Sequence, residues 1–194
     1  MVLEFTPAGV TFAYTKGIFP MPDPDTNEIG WYRPDPRAII PLDGFHISRS
    51  LARTLRRGRF EARVNTCFDE VMRACGERAE GTWITDEFID VYGSLHRAGL
   101  AHSVEVYLDG VLAGGTYGVA LGGAFMAESM FHRETDASKV ALAHLVERLN
   151  ACGFTLLDVQ FLTPHLASLG AIETSHRSYL RRLDAALRLR PRFM

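Results

Sequence analysis

The sequence predicts an α/β (α+β) fold, a mixed β-sheet covered by helices, and three observations support it. An alternating segment leads into Asp109-Gly110, a turn typical of β-hairpins, and a second strand follows. Two further apolar segments have the length of strands. The helical pattern of residues 138–150 lies between these two, and a helix that joins two strands favours parallel pairing. The predicted strands are residues 103–108, the segment through Tyr117, residues 124–131 and residues 155–161.

Helical periodicity predicts elements on both sides of the hairpin. Residues 47–57 predict a short helix, and apolar residues recur at helical spacing over 66–75. Thr85 is a predicted N-cap with two acidic residues after it, and this helix is expected to end at Gly99. The tail from Ser178 is predicted to be helical and basic.

The N-terminal part looks different. Six of the nine prolines fall between residues 20 and 41, which predicts no regular helix or central strand there. We therefore expect residues 1–45 to form a small, loop-rich lobe and residues 46–194 to form the main domain.

Composition limits the class of protein. The 194 residues are 47% hydrophobic with a net charge of -2, so they can bury one sizeable core, and any nucleic-acid contact must come from a local basic patch. The chain has no apolar run long enough for a membrane span, and its first ten residues lack signal-peptide character, which predicts a cytoplasmic location. Three cysteines without a C-x-x-C pair and seven scattered histidines predict no metal site.

Asp158 and Gln160 are the first candidates for chemistry. On a strand over residues 155–161 they share one face, about 7 Å apart, while apolar residues share the other. An aspartate in such a strand costs free energy unless it is paired or faces a cleft. A carboxylate beside a carboxamide could hold an attacking amine and pass on its proton. A hydrogen-bonded sheet edge is the alternative interpretation, and the pattern alone does not decide.

Glu128 occupies a similar position in AFMAESMF, where a strand would place it on one face with Met126 and Met130. A carboxylate flanked by methionines indicates an apolar pocket with a charged floor. Pairing of Glu128 with a nearby arginine is the alternative.

Arginines are concentrated just after residue 46. Arg49, Arg53 and either Arg56 or Arg57 fall at helical spacings on one face. Such a stripe suits a phosphate backbone, and a solvated helix face is the alternative.

Trp83 and the glycines between Gly114 and Gly123 also have structural explanations. Trp83 could stack on a base, but a tryptophan just before a helix is more often a core anchor. The glycines follow a hairpin turn and open no helix, so they predict close backbone approach in a sheet and not a phosphate loop.

Ten short segments together resemble the leucyl/phenylalanyl-tRNA–protein transferase family. They keep the family's order and spacing from about residue 14 to about residue 180. The segments are GIFPM (17–21), WYRPDPRAIIP (31–41), FHISRS (45–50), EGTWIT (80–85), AHSVEVY (101–107), GGTYGV (114–119), ESMFHR (128–133), ASK (137–139), LLDVQ (156–160) and HLASLGA (165–171).

The resemblance implies a small N-terminal lobe and a second lobe with the GNAT-type acyltransferase fold. It implies transfer of Leu or Phe, or also Met, from aminoacyl-tRNA to the N-terminal Arg or Lys of acceptor proteins, which marks them for N-degron degradation. It implies no cofactor, and we expect a monomer. The connection at 132–138 contains no glycine, whereas acyl-CoA users of this fold wrap the pyrophosphate with a glycine-rich loop there.

The resemblance also implies roles for individual residues. Asp158 and Gln160 match a pair placed at the reacting amine, where Asp158 is expected to orient the amine and accept or relay its proton. Glu128 matches a glutamate that helps position the acceptor. The residues implied for the aminoacyl-adenosine site are Trp83, Phe125, Met130 and Thr116. Those implied for tRNA contact are Arg49, Arg53, Arg56 and Arg57.

Two departures from the family pattern stand out. A G-G-D-L-type segment is missing before GIFPM, so a reduced N-terminal lobe is expected. Thr116 stands where methionine is common, which leaves the donor preference open. Two other functions also stay open, a non-catalytic tRNA-binding module and an acyl-CoA N-acetyltransferase on the same fold.

Overall fold

The computed structural model describes residues 3–23, 26, 28–77 and 82–194. Nine strands and seven helices lie in these residues. In chain order they are α1 (Pro7–Thr15), β1 (Phe19–Pro22), β2 (Ile29–Tyr32), β3 (Arg37–Ile40), α2 (Arg49–Arg57), β4 (Phe60–Val64), α3 (Phe68–Gly76), α4 (Asp86–Arg97), β5 (Ala101–Leu108), β6 (Val111–Leu121), β7 (Ala124–His132), α5 (Ala137–Cys152), β8 (Leu156–Gln160), α6 (Pro164–Ser168), β9 (Ile172–Thr174) and α7 (His176–Leu187).

A seven-stranded sheet organises the chain, with the strand order β4-β5-β6-β7-β8-β3-β9. Its neighbouring strands are antiparallel except β7 and β8, which pair in parallel. Helix α5 connects β7 to β8, so the parallel pair expected from a helix between two strands is confirmed. The mixed sheet with its helices confirms the predicted α/β class. Strands β1 and β2 form a separate antiparallel pair.

Local sequence signals set several element ends. Thr85 caps α4 by accepting a hydrogen bond from the Phe88 N–H at 3.5 Å. Gly153 ends α5 in the left-handed conformation. Asp109 and Gly110 both have positive φ, as the tight turn between β5 and β6 requires. The helices predicted around residues 47–57 and 66–75 and in the C-terminal tail are confirmed as α2, α3 and α7.

Each face of the large sheet has its own apolar core. Helices α1, α3, α4 and α7 cover one face, where Val10, Met72 and Leu183 are buried. Helices α2 and α5 cover the other, through residues such as Leu51 and Leu145. Full burial of one such side chain contributes roughly 1.5–3 kcal/mol. None of the helices in the described ranges is both long enough and apolar enough to cross a bilayer.

The expectation that the proline-rich segment holds no central strand is wrong. Strand β3 lies between β8 and β9, with Pro36 before it and Pro41 after it. Proline lacks a backbone N–H, but prolines at the ends of a strand leave every N–H group of its interior in place. The four residues between Pro36 and Pro41 can therefore pair on both sides. The division of the chain after residue 45 stays a prediction, but β3 precedes that boundary and pairs within the large sheet. Elements α1, β1, β2, β4, α6 and β9 form where no element was predicted.

Candidate active site

The large sheet opens where β7 and β8 cease to pair. The last paired residues are Met126 and Asp158, and both strands continue beyond them. A cleft of about 470 Å³ lies there. Its lining residues are Phe19, Pro20, Met21, Trp83, Thr116, Ala127, Glu128, Ser129, Met130, Val159, Gln160, Phe161, Thr163, His165 and Leu166.

A β-bulge places Glu128 at this cleft. Ser129 pairs with Tyr117 of β6, and Ala127 pairs with the next residue, Gly118. Glu128 therefore has no cross-strand partner, because two residues of β7 oppose one step of β6. The bulge also reverses the side-chain alternation along β7.

The reversal corrects one expectation about strand faces. Met126 belongs to the core on one face of the sheet, and Met130 packs against the core on the other. The prediction that Glu128 shares a face with both methionines is therefore wrong, because an unbulged strand was assumed.

Three polar side chains hold the Glu128 carboxylate. The Tyr14 hydroxyl donates to Oε1 at 2.6 Å, and Gln160 Nε2 donates to the same oxygen at 3.3 Å. The Tyr92 hydroxyl donates to Oε2 at 3.3 Å and lies 2.7 Å from the Tyr14 hydroxyl. Glu128 forms no ion pair within the part of the chain that the structure describes. The alternative interpretation, pairing with an arginine, does not apply here.

The environment of Glu128 raises the pKa of its carboxyl group into the neutral range. Burial is the main cause that raises the pKa of Glu128 to about 7. The Tyr14 hydrogen bond opposes this rise, and the charge of Asp158 adds to it. Burial also raises the pKa values of Tyr14 and Tyr92 well above their usual range, so both hydroxyls stay protonated. A cleft carboxylate with a near-neutral pKa is suited to accepting a proton.

Gln160 reaches Glu128 through an unusual backbone conformation at the end of β8. Its φ is 58°, in the left-handed region that costs a non-glycine residue about 1–3 kcal/mol. The Gln160 N–H donates to Asp158 Oδ1 at 3.0 Å, which stabilises this turn. The two side chains predicted to act together are thus linked, but through the backbone of one of them.

Asp158 itself is fully buried in a set of contacts that we call the Asp158 clasp, formed by Arg37, Tyr179 and the Gln160 N–H. Arg37 donates from Nε to Oδ1 at 2.9 Å and from Nη2 to Oδ2 at 2.6 Å. The Tyr179 hydroxyl donates to Oδ2 at 2.8 Å. Arg37 is also fully buried, and its Nη1 donates to the Gly17 carbonyl oxygen at 3.1 Å.

The clasp bears on the expected role of Asp158. A carboxylate that takes the proton from an amine must face the cleft, and Asp158 does not line it. This geometry does not bring Asp158 into direct contact with the cleft, and its part in orienting the amine or relaying the proton stays a prediction. The charge of Asp158 is balanced by the guanidinium of Arg37, which lies on β3, a strand that the proline pattern did not predict.

Three residues implied for the aminoacyl-adenosine site do line the cleft: Trp83, Thr116 and Met130. Thr116 is buried and donates its hydroxyl to the Ser129 carbonyl oxygen at 2.9 Å. Trp83 also packs edge-on against Phe88, with ring centroids 5.3 Å apart. Both interpretations of Trp83, as core anchor and as cleft residue, therefore describe part of its environment.

Phe125 does not reach the cleft. It is 1% exposed in the core beneath α5, and its ring stacks on Phe193 with centroids 5.4 Å apart. The prediction that Phe125 lines the acyl pocket is therefore wrong for this structure, because the side chain points into the core before the bulge is reached.

The predicted basic stripe lies on α2, away from the cleft-lining residues. Arg49, Arg53, Arg56 and Arg57 are all exposed. Leu51 anchors the helix in the core, which leaves the arginines on the outer surface. None of the four has a hydrogen-bond or ion-pair partner in the described ranges. They are free to contact an external anion.

Four residues of the site were not identified from the sequence: Tyr14, Arg37, Tyr92 and Tyr179. Arg37 carried a usable signal, because an arginine in a short apolar strand requires a buried partner. Tyr14 contacts a residue 114 positions away, and no local pattern indicates such a contact. Among the described residues, no group of three or more His, Cys, Asp or Glu side chains could hold a metal ion.

Comparisons with known proteins show what the chain is similar to. The family model of the leucyl/phenylalanyl-tRNA protein transferase matches residues 39–184. The model of that family's N-terminal domain matches residues 4–35.

Two curated relatives illustrate the similarity. A leucyl/phenylalanyl-tRNA--protein transferase of Herpetosiphon aurantiacus is 56% identical over 188 residues, covering 96% of this chain and 97% of that protein. One of Gloeobacter violaceus is 50% identical over 193 residues and covers 100% of both chains.

Similarity to solved structures is weaker. A GCN5-related N-acetyltransferase from Kribbella flavida has a TM-score of 0.48 at 12% identity, covering 86% of this chain and 61% of that chain. An aminoglycoside N-acetyltransferase has a TM-score of 0.39 at 14% identity, covering 68% of this chain and 88% of that one.

Proposed function

The chain belongs to the leucyl/phenylalanyl-tRNA protein transferase family and is an aminoacyltransferase, and from this premise we propose that it moves Leu or Phe from aminoacyl-tRNA to the N-terminal Arg or Lys of acceptor proteins. The product would carry a new N-terminal residue that marks it for N-degron degradation. The observation that carries the proposal is the Glu128 carboxylate, with a pKa near 7, beside the Gln160 carboxamide at the cleft.

The reaction requires little activation of the donor, but two protons must leave the acceptor nitrogen. The acceptor amine attacks the ester carbonyl carbon, a C–N bond forms, and the bond to the tRNA 3′ oxygen breaks. An N-terminal ammonium has a pKa of about 7.7–8.0, so it must first lose one proton. A second amine proton passes to the leaving 3′ oxygen. Because the ester is already activated, the proposed step uses alignment and proton transfer.

Glu128 is the group that we assign to the first proton. Its pKa near 7 lies close to that of the α-ammonium, so the transfer needs only a small driving force. Its oxygens accept hydrogen bonds from neutral groups, so its negative charge is available to a cationic acceptor. This assignment extends the expected role of Glu128 from positioning the acceptor to accepting its proton.

Gln160 and Asp158 receive positioning roles. The Gln160 carboxamide donates one N–H to Glu128, and its carbonyl oxygen is the acceptor that we assign to the incoming amine. Asp158 acts on this arrangement through the Gln160 backbone N–H, with Arg37 as its counter-ion. The clasp would hold the carboxamide in place without direct contact with substrate.

The donor side of the proposal uses the apolar part of the cleft. Met130 and Thr116 are proposed to contact the amino-acid side chain, and Trp83 the adenosine. A pocket of this kind separates substrates by only ~1–3 kcal/mol per methylene. We therefore propose Leu and Phe as donors and include Met, because so weak a separation does not rank the three. The arginines of α2 are proposed to hold the tRNA body.

The proposal includes the setting of the reaction. The protein would act as a cytoplasmic monomer, with residues 1–45 and 46–194 as its two parts. An acyl-CoA donor is disfavoured because the connection before α5 contains no glycine and Asp136 there accepts hydrogen bonds from Thr54 and Lys139.

Transfer of a labelled amino acid tests the proposal. The purified protein is mixed with Leu-tRNA or Phe-tRNA and a peptide that begins with Arg, and a peptide that differs only by an N-terminal Gly is the control. We expect label in the Arg peptide alone, and its loss with Glu128→Gln. Bound tRNA without transfer from either donor would instead support the non-catalytic tRNA-binding module.

A further inference from the structure

The surface between the α2 arginines and the cleft has chemistry that the proposed function does not yet use. Strand β7 ends at His132, α5 begins a few residues later, and α6 follows β8. Because β7 and β8 are parallel neighbours, their carboxyl ends lie at the same edge of the sheet. His132, Lys139 and His165 are therefore brought to one edge.

Direct contacts connect this edge to α2. Thr54 of α2 donates its hydroxyl to Asp136 Oδ2 at 3.1 Å. Lys139 Nζ donates to Asp136 Oδ1 at 3.0 Å, and its side chain is 36% exposed. A lysine ammonium has three N–H donors, so Lys139 can keep this bond and still donate to a ligand.

The same edge is connected to the cleft through His165, which lines it. Burial lowers the pKa of His165, and its electrostatic interactions with Lys139 and then with His132 lower it further. Lys139 and His132 therefore lie within electrostatic range of a cleft residue. A neutral His165 still has one ring N–H to donate.

We infer that Lys139, assisted by His132 and His165, binds the phosphodiester groups of the unpaired nucleotides that precede the terminal adenosine of the tRNA. This inference rests on the proposed function, which sets the adenosine in the cleft and the tRNA body on α2. The unpaired tRNA nucleotides that join the adenosine to the tRNA body must then cross the sheet edge where Lys139 lies. The acid beside Lys139, Asp136, already accepts two hydrogen bonds, and Glu134 is exposed to solvent.

Three donors of increasing length separate the contributions along this path. They are an aminoacyl-adenosine without phosphates, an aminoacylated trinucleotide ending in adenosine, and the complete aminoacyl-tRNA. The variants are Lys139→Ala, Lys139→Arg and Arg53→Ala. Arg182→Ala, which removes an exposed arginine of α7, is the matched control.

For Lys139→Ala we expect kcat/KM to fall about tenfold with the trinucleotide and with the tRNA, relative to the value with aminoacyl-adenosine, because one charge-assisted hydrogen bond is lost. Lys139→Arg should restore most of this loss. Arg53→Ala should affect the tRNA alone, and Arg182→Ala none of the three.

Two results overturn the inference. One is an undiminished rate of Lys139→Ala with the trinucleotide. The other is an equal loss with all three donors, which indicates a structural role at the start of α5. If the unaltered protein transfers from no donor, the proposed function fails. Equilibrium binding of the unacylated trinucleotide then decides the inference by the same tenfold difference.

Discussion

The Asp158 side chain and the Gln160 backbone are joined by a 3.0 Å hydrogen bond from the Gln160 N–H to Asp158 Oδ1. This bond supports a backbone with a φ of 58° and leaves the Gln160 carboxamide within 3.3 Å of Glu128. Two carboxylates in neighbouring strands thus have different tasks. Glu128 lies at the cleft with a pKa near 7, and Asp158 is buried against Arg37.

Removal of one partner of the buried ion pair should destabilise the protein strongly. Asp158→Ala leaves the Arg37 guanidinium buried without its counter-ion, and we expect a loss of roughly 3–5 kcal/mol in the free energy of unfolding. Arg37→Ala should cost a similar amount. Because the residues contact each other, the double variant should lose less than the sum of the single losses. Urea unfolding of the four proteins measures these differences.

An exposed ion pair supplies the control for that series. Arg188 Nη2 and Asp184 Oδ2 are 2.7 Å apart, and the two side chains are 76% and 68% exposed. Solvent screens such a pair, so Asp184→Ala should change the free energy of unfolding by less than about 1 kcal/mol. Equal losses from Asp158→Ala and Asp184→Ala would contradict the role given to the clasp.

The rate of transfer should depend on the protonation of Glu128. Its pKa is about 7, so the fraction of carboxylate, and with it the rate, should rise as the pH increases through 7. Glu128→Gln keeps an acceptor oxygen for Tyr14 but cannot take a proton. We expect this variant to be slower by roughly 10²–10⁴-fold and to lose the rise near pH 7. Single-turnover rates between pH 5.5 and 8.5 test this; a variant that keeps the rise assigns it to the acceptor amine alone.

The same carboxyl group should make stability depend on pH. The folded protein raises the pKa of Glu128 from about 4.5 to about 7, so it binds more protons than the unfolded chain between these values. The free energy of unfolding should therefore fall as the pH rises through this window. Glu128→Gln should abolish this contribution and be more stable than the unaltered protein above pH 7, by on the order of 2 kcal/mol. Melting curves at pH 5 and pH 8 measure the difference.

Sequence patterns predicted the elements whose signals are local. The hairpin at Asp109-Gly110, the capped helix after Thr85 and the parallel pair across α5 all formed as expected. Strand β3 has no such local signal, because the density of prolines around it argues against a strand and only their positions at its ends permit one. A proline in a strand interior would remove a pairing hydrogen bond, whereas the two prolines at the borders of β3 do not.

The candidate site shows the same limit more sharply. Alternation placed Asp158 and Gln160 on one face, but the direction in which each side chain acts depends on Arg37 from β3 and on the positive φ of Gln160. The bulge at Glu128 likewise arises from the pairing of β7 with β6 and has no signature within AFMAESMF. Long-range contacts decide these features, and periodicity carries no information about them.

A larger side chain at position 116 should change the choice of donor. Thr116 is buried at the cleft, and Thr116→Met would fill part of the apolar space. We expect kcat/KM with Phe-tRNA to fall relative to Leu-tRNA by up to about tenfold, because Phe is the bulkier side chain. Thr116→Val has nearly the original volume and should keep the ratio. An unchanged ratio in Thr116→Met would place the amino-acid side chain elsewhere.

The α2 arginines should set the salt dependence of tRNA binding. Each contact between a guanidinium and a phosphate contributes about 0.9 to the slope of log K against log salt concentration for duplex nucleic acid. Arg53 is exposed and has no partner in the described ranges, so Arg53→Ala should weaken binding and reduce the slope by about 1. Arg182→Ala, on α7, removes the same charge from a different surface and should leave the slope unchanged. If both variants reduce the slope equally, the contribution comes from net charge, and α2 is then an ordinary solvated helix face.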